Sequence, residues 1–296
     1  LPGITERQEA YAREIVKEFE SDIDLVFPRA ARDRKNIEEI VAQFNAERLD
    51  GIMIVMLTYG PGMRIVRAFR ENNLPVLLTN TQPVPEVTDD WNMDDLTYNQ
   101  GIHGAQDISN TLLRTIGSTY AICTGYWKDQ EFKSFVNDWS HAAMTASQMK
   151  GMKIAEIGKM HDMGDTIADE ASFMRILGPV IHKEYIGQVH RNMEAVTDDE
   201  IDKEISFNKE TFKIDEGMPE KNHRYAIRMY LGFRKLLEEG GYAGFSAHFD
   251  VFKGDGRFDQ IPMYAASRLM AEGYGYAAEG DTNTVTMVAA GHLLAD

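Results

Sequence analysis

Apolar positions recur along this chain at two alternating periods. Glu6–Phe19 sets Ala10, Tyr11, Ile15, Val16 and Phe19 at helical spacing, and Asp22–Phe27 then alternates as a strand does. A helix over Lys35–Glu47 leads to the run Gly51–Leu57, apolar almost throughout, as strands covered on both faces of a parallel sheet are. The spacing next predicts a helix over Pro61–Glu71, a strand over Pro75–Thr79, a helix over Asn99–Thr115, a strand over Tyr120–Gly125 and a long helix over Asp129–Met149. After Lys150 the alternation restarts. Strand Lys153–Ile157, helix Glu170–Leu177 and strand Tyr185–Val189 precede a charged stretch with helical potential, Asp198–Lys209. Helix Lys221–Glu239, strand Tyr242–His248 and helix Pro262–Glu272 follow. Residues 273–281 read as a turn of small residues carrying Glu279 and Asp281, ahead of helix Thr282–Leu294.

Strand–helix alternation of this kind implies parallel sheets with helices on both faces. The expected class is α/β, with two doubly wound, Rossmann- or flavodoxin-like domains over 1–150 and 151–296. Composition agrees with a packed chain: 43% of the 296 residues are hydrophobic and 10% aromatic. The 31 basic and 47 acidic residues leave a net charge of −16, which argues against nucleic acid or an anionic membrane as partner. No apolar run approaches the roughly 20 residues needed to span a bilayer. Cys123 is the single cysteine, so no internal disulfide forms, and a reducing, cytoplasmic setting is expected. It lies in Tyr-Ala-Ile-Cys-Thr, where a buried, inert thiol is the expectation.

In open α/β sheets ligands bind beyond the carboxyl ends of the strands. The segments there are Leu57–Pro61, Asn80–Pro83, Gly158–Asp165 and Phe249–Asp250, rich in hydroxyl, amide, aromatic and Met groups. That mixture suits a neutral, polyhydroxylated ligand. Neither G-x-G-x-x-G nor G-x-x-x-x-G-K-[ST] occurs, which weakens a nucleotide reading and disfavours an NAD-linked oxidoreductase. Gln100 and His103 lie three apart and share a helical face; they either reach a ligand or flank a cap made by Asn99. Glu279 and Asp281 suit a divalent cation or proton transfer beside a hydroxyl. The plainer alternative has Asp281 capping the next helix and Glu279 solvated. His161, between two Met residues, is a further metal candidate, but no H-E-x-x-H or Cys/His ligand spacing appears.

The order and spacing of several segments resemble the L-arabinose isomerase family, within the fucose/arabinose isomerase fold, over about Asp50–Leu294. They are Asn99-Gln100-Gly101-Ile102-His103-Gly104, Thr124-Gly125-Tyr126-Trp127-Lys128-Asp129, Gly240-Gly241-Tyr242, Arg268–Tyr276 and Glu279-Gly280-Asp281. The resemblance implies a metal-dependent aldose–ketose isomerase, with Mn²⁺ or another divalent cation held by two Glu and two His. It implies a trimer or hexamer with the sugar at an interface between protomers. By position, Glu279 matches a catalytic, metal-binding glutamate, and Gln100 and His103 match the pair lent to a neighbouring protomer's sugar site. Tyr59, Phe249 and either Met160 or Met163 match lining positions. In the family the second Glu and both His belong to a C-terminal region absent here, and one strand is expected ahead of Leu1. The chain alone is therefore expected to be inactive. Thr282-Asn283 stands where Trp-Lys is usual, Tyr59 where Phe is common and Leu57 where His is, which leaves the sugar open. A non-catalytic sugar-binding or regulatory protein is the alternative.

Overall fold

A computed structural model describes residues 2–167 and 169–295. The chain divides into two compact units, Leu1–Met144 and Thr145–Asp296, with the division inside a long helix.

The first unit contains α1 (Ile4–Phe19), α2 (Arg34–Ala46), β1 (Ile52–Val55) and a 3₁₀ turn, Gly62–Arg64, that enters α3 (Val66–Glu71). Then come β2 (Val76–Asn80), α4 (Met93–Tyr98), α5 (Gly101–Thr111), β3 (Ala121–Thr124) and α6 (Gln130–Met149). The last turn of α5 widens into a π-turn over Leu112–Ile116. Strands β1, β2 and β3 lie in that order, all parallel. The central strand is covered on both faces. Leu77 packs with Tyr11, Ile15 and Phe19 of α1 and Phe132 and Val136 of α6, while Leu78 packs with Phe69 and Ile108. Burying each leucine fully contributes about 1.5–3 kcal/mol.

Asp22–Phe27 does not form the expected strand. Its alternation has a real cause, because Ile23 and Leu25 pack against the α1 and α6 cluster. Its backbone joins no ladder, however. The segment and β1 both line an apolar cleft of about 780 Å³, to which Ile23, Leu25, Phe27, Ile52 and Ile54 contribute. Alternating burial requires only an extended chain against a core, whereas a strand requires a paired neighbour.

The second unit contains β4 (Lys153–Ile157), α7 (Glu170–Leu177), β5 (Val180–Lys183), α8 (Ile186–Glu194), α9 (Asp198–Thr211) and α10 (Glu220–Gly240). It continues with β6 (Gly244–Ala247), α11 (Phe249–Asp255), α12 (Met263–Ala271), β7 (Gly275–Ala278) and α13 (Thr282–Ala295). The strand order is β5-β4-β6-β7, again all parallel. One sheet face packs on α8, α10 and α12 through Val189, Met193, Phe233, Leu237 and Leu269; the other packs on α13 through Ile154, Ala277 and Val285.

Two expectations are corrected here. Tyr185–Val189 is not a strand: β5 lies earlier, at Val180–Lys183, and Ile186, Val189 and Met193 form the inner face of α8. Those three positions fit a helical spacing that a five-residue window is too short to reveal. Residues 273–281 are not one turn, since Gly275–Ala278 is a strand. Small residues are required there, because a Cβ on Gly275 would lie 2.1 Å from the Val285 carbonyl oxygen. Among the described residues no helix is long and apolar enough to cross a membrane.

Candidate functional site

In the second unit the carboxyl ends of three strands are joined by main-chain hydrogen bonds. His248 N–H donates to Ile157 O (3.0 Å), Glu279 N–H to Ala247 O (3.0 Å) and Met160 N–H to Glu279 O (2.8 Å). Gly280 N–H adds a bond to Ser246 Oγ at 2.9 Å, and Ser246 in turn donates to Ala277 O at 2.7 Å. The loop after β4 thus passes over β6 to reach the loop after β7. Met160, Phe249 and Glu279 all stand at this end of the sheet, Phe249 as the first residue of α11. Met160, not Met163, carries the main-chain bond to Glu279.

Glu279 has φ +67°, a left-handed backbone that costs an L-residue about 1–2 kcal/mol. Gly280 follows at φ +89°, and a Cβ there would meet Lys159 Cα at 2.7 Å. The surrounding bonds hold this conformation, and strain of this sort gathers at ligand sites. Asp281 plays the plainer part. Its Oδ1 accepts from Thr284 N–H at 3.0 Å and its Oδ2 from Thr284 Oγ1 at 2.5 Å, capping α13.

Two nearby polar groups escaped the sequence reading. The Tyr276 hydroxyl is buried without a hydrogen-bond partner among the described residues, and burial, then the Glu279 charge, push its pKa up. Glu156 is 4% exposed and bonded to Lys183 Nζ at 2.7 Å, which also reaches Glu170 at 2.5 Å. The signal available in the sequence was a carboxylate inside the apolar strand Lys-Ile-Ala-Glu-Ile.

In the first unit, Tyr59, Gln100 and His103 form a second group. Tyr59 follows β1 and is half exposed. Asn99 does not cap the following helix; it ends α4, is buried, and bonds Asp95 O (2.9 Å) and Val84 N–H (3.3 Å). Gln100 occupies the N-cap position of α5 without a side-chain cap bond, and His103 is exposed one turn in. Two glycines bring this helix against the loop after β1. A Cβ on Gly101 would meet Met56 O at 2.4 Å, and one on Gly104 would meet Met56 Cε at 2.3 Å. Thr58 Oγ1 completes the contact, donating to Thr97 O at 2.8 Å.

A divalent metal centre does not fit these residues by themselves. Among the described residues no three His, Cys, Asp or Glu side chains gather into a metal-holding group. Glu279 offers one carboxylate where Ca²⁺- or Mn²⁺-type sites take about six donors. His161 is exposed in the loop after β4 and belongs to no such group. What the second unit presents at this end of its sheet is a glutamate with a left-handed backbone, its main chain bonded by Met160, with Phe249 opening α11 at the same end.

The chain is similar to the L-arabinose isomerase of Pediococcus pentosaceus, 28% identical over 93% of this chain and 60% of the relative. It is likewise similar to L-arabinose isomerase 1 of Bacillus licheniformis, 28% identical over 96% of this chain and 61% of the relative. The same name attaches to a Clostridium beijerinckii protein 27% identical over 92% of this chain and 55% of its own length. The chain thus spans about 60% of the length of the curated relatives it matches. Residues 1–151 match the L-arabinose isomerase N-terminal domain and residues 153–296 its central domain. These two matches succeed one another and leave out only Met152, and the chain belongs to the L-arabinose isomerase family.

Proposed function

We propose that this polypeptide is part of an aldose–ketose isomerase that converts L-arabinose to L-ribulose, or acts on a related sugar. The observation that carries the reading is Glu279, held in a left-handed conformation at the end of β7 by bonds from two other strand ends. Isomerisation moves a hydrogen between C1 and C2. In the enediol route a carboxylate takes the proton from C2 and returns it to C1 while the proton of the C2 hydroxyl passes to the C1 oxygen. In the hydride route it takes the proton of the C2 hydroxyl and delivers it to the C1 oxygen as hydride moves from C2 to C1. Glu279 is proposed for that role, with Met160 and Phe249 covering the apolar edge of the sugar. Tyr59 is proposed as an aromatic contact of the sugar, and Gln100 and His103 serve the sugar site of a neighbouring protomer in a trimer or hexamer. Mn²⁺ or another divalent cation belongs to the proposal with Glu279 as one ligand, and it would polarise the carbonyl; among the described residues no further ligand group gathers with Glu279. The single, buried Cys123 supports a reducing, cytoplasmic setting.

The test is Glu279→Gln in the full-length protein, assayed for ketose formation with Mn²⁺ and a panel of aldoses. Loss of turnover with an unchanged circular dichroism spectrum is expected. Turnover at the parent rate would overturn the assignment, and sugar binding without conversion by the parent protein would favour a non-catalytic binder.

A further inference from the structure

The inner face of α1 is built from Gln8, Tyr11, Ala12, Ile15 and Phe19. Gln8 breaks this stripe, for a residue 4% exposed among apolar neighbours carries an amide that needs partners. Its Nε2 donates to Tyr98 O at 2.9 Å, across 90 residues of sequence. Tyr98 is the last residue of α4, so the carbonyl that Gln8 holds is one the helix itself leaves unpaired. The guanidinium of Arg7, one residue earlier, lies 3.4 Å from the centroid of the Tyr98 ring. Two residues beyond Tyr98 stands Gln100, and one helical turn further stands His103.

The corner between α4 and α5 is therefore gripped from two directions. Thr58, after β1, holds the Thr97 carbonyl, and α1 holds the Tyr98 carbonyl and ring. We infer that Gln8, assisted by Arg7, is a positioning residue that fixes the α4–α5 corner and so sets the placement of Gln100 and His103. It rests on the proposal that this pair binds the sugar. Gln8 touches no substrate; it acts through the main chain at Tyr98. Placement errors near 1 Å at such groups are costly, and binding suffers before the chemistry borne by Glu279 does.

The experiment compares Gln8→Met, Arg7→Met and Ile15→Val in the full-length protein. Methionine keeps the length of Gln8 and removes its donor, while Ile15→Val thins the same helix face away from the corner. Gln8→Met is expected to raise KM for the aldose about threefold to tenfold with kcat within about twofold. Amide exchange over Gly101–Ala105 should speed up in the same variant. Arg7→Met should show a smaller rise in KM, and Ile15→Val none. Unchanged KM, or unchanged exchange over Gly101–Ala105, in a folded Gln8→Met protein would overturn the inference. Should Gln8→Met fail to fold, Arg7→Met decides in the same way, since Arg7 is exposed. If the parent protein turns over no aldose, the proposed function falls, and the exchange measurement still decides the role of Gln8 at the corner.

Discussion

Met160 N–H donates to Glu279 O at 2.8 Å, joining two loops whose strands, β4 and β7, are separated by β6. The bond fixes the main chain, not the carboxylate, of Glu279. It accounts for how a glutamate remains in a conformation that glycine adopts far more readily. Local strain is supported by the neighbouring loops, through bonds that do not engage the acidic side chain.

Replacing Glu279 by Gly removes that strain. Glu279→Gly is expected to raise the stability of the second unit by about 1 kcal/mol, measured as an increased urea midpoint. Isomerisation should vanish in the same variant. A destabilised Glu279→Gly protein would show that the left-handed backbone is not strained.

Gly101 and Gly104 give opposite expectations although they lie one turn apart. An alanine at 101 meets main-chain atoms, Met56 O at 2.4 Å, Thr81 O at 3.0 Å and Met56 C at 3.5 Å, and one of the packed segments must shift. Gly101→Ala should cost about 1–3 kcal/mol despite better helix propensity, and should raise KM by displacing Gln100. At 104 the nearest atom is the Met56 methyl at 2.3 Å, the end of a flexible side chain. Gly104→Ala should stay within about 1 kcal/mol of the parent in chemical denaturation.

His223 gives a pH dependence. Burial, then the charge of Lys209, hold its pKa below the ordinary 6.5, and its Nε2 lies 3.0 Å from Asn208 Nδ2. The folded state therefore binds fewer protons than the unfolded state between the two pKa values. This contribution to stability is present above about pH 6.5 and is lost as pH falls through the depressed folded value. Denaturant midpoints measured from neutral to mildly acidic pH should decline, and His223→Gln should flatten part of that slope. An identical slope in the variant would remove His223 from the account.

Cys123 is 3% exposed, and burial pushes its thiol up to about 11. Alkylation at about pH 8 should leave the folded protein unlabelled and modify it stoichiometrically once denatured. Rapid labelling of the folded protein would contradict the burial of Cys123.

The sequence was legible where one pattern had one cause. Leu77 and Leu78 lie in a continuous apolar run, and both are buried on opposite faces of β2. Asp22–Phe27 showed the right periodicity for the wrong reason, because packing alone imposes alternation on an extended chain. Strand β7 was hidden by Gly275 and Ala277, whose smallness answers α13 packing on them and leaves no apolar signal. At the candidate site, Glu279 and Asp281 stood out as carboxylates among glycines. Ser246, Tyr276 and Gln8 did not, since each acquires its meaning only from a partner or neighbour that folding supplies.

The contact between Lys159 and Gly280 divides the loop after β4 into two parts with different freedom to change. Its first residues, through Met160, are anchored against Gly280 and Glu279, so an insertion or a bulky exchange there would displace the main chain of Glu279. Among the described residues from His161 onward, no main-chain hydrogen bond ties the loop to Glu279. That stretch is the place where length and composition can vary without moving the main chain of Glu279, because the bond that holds it ends at Met160.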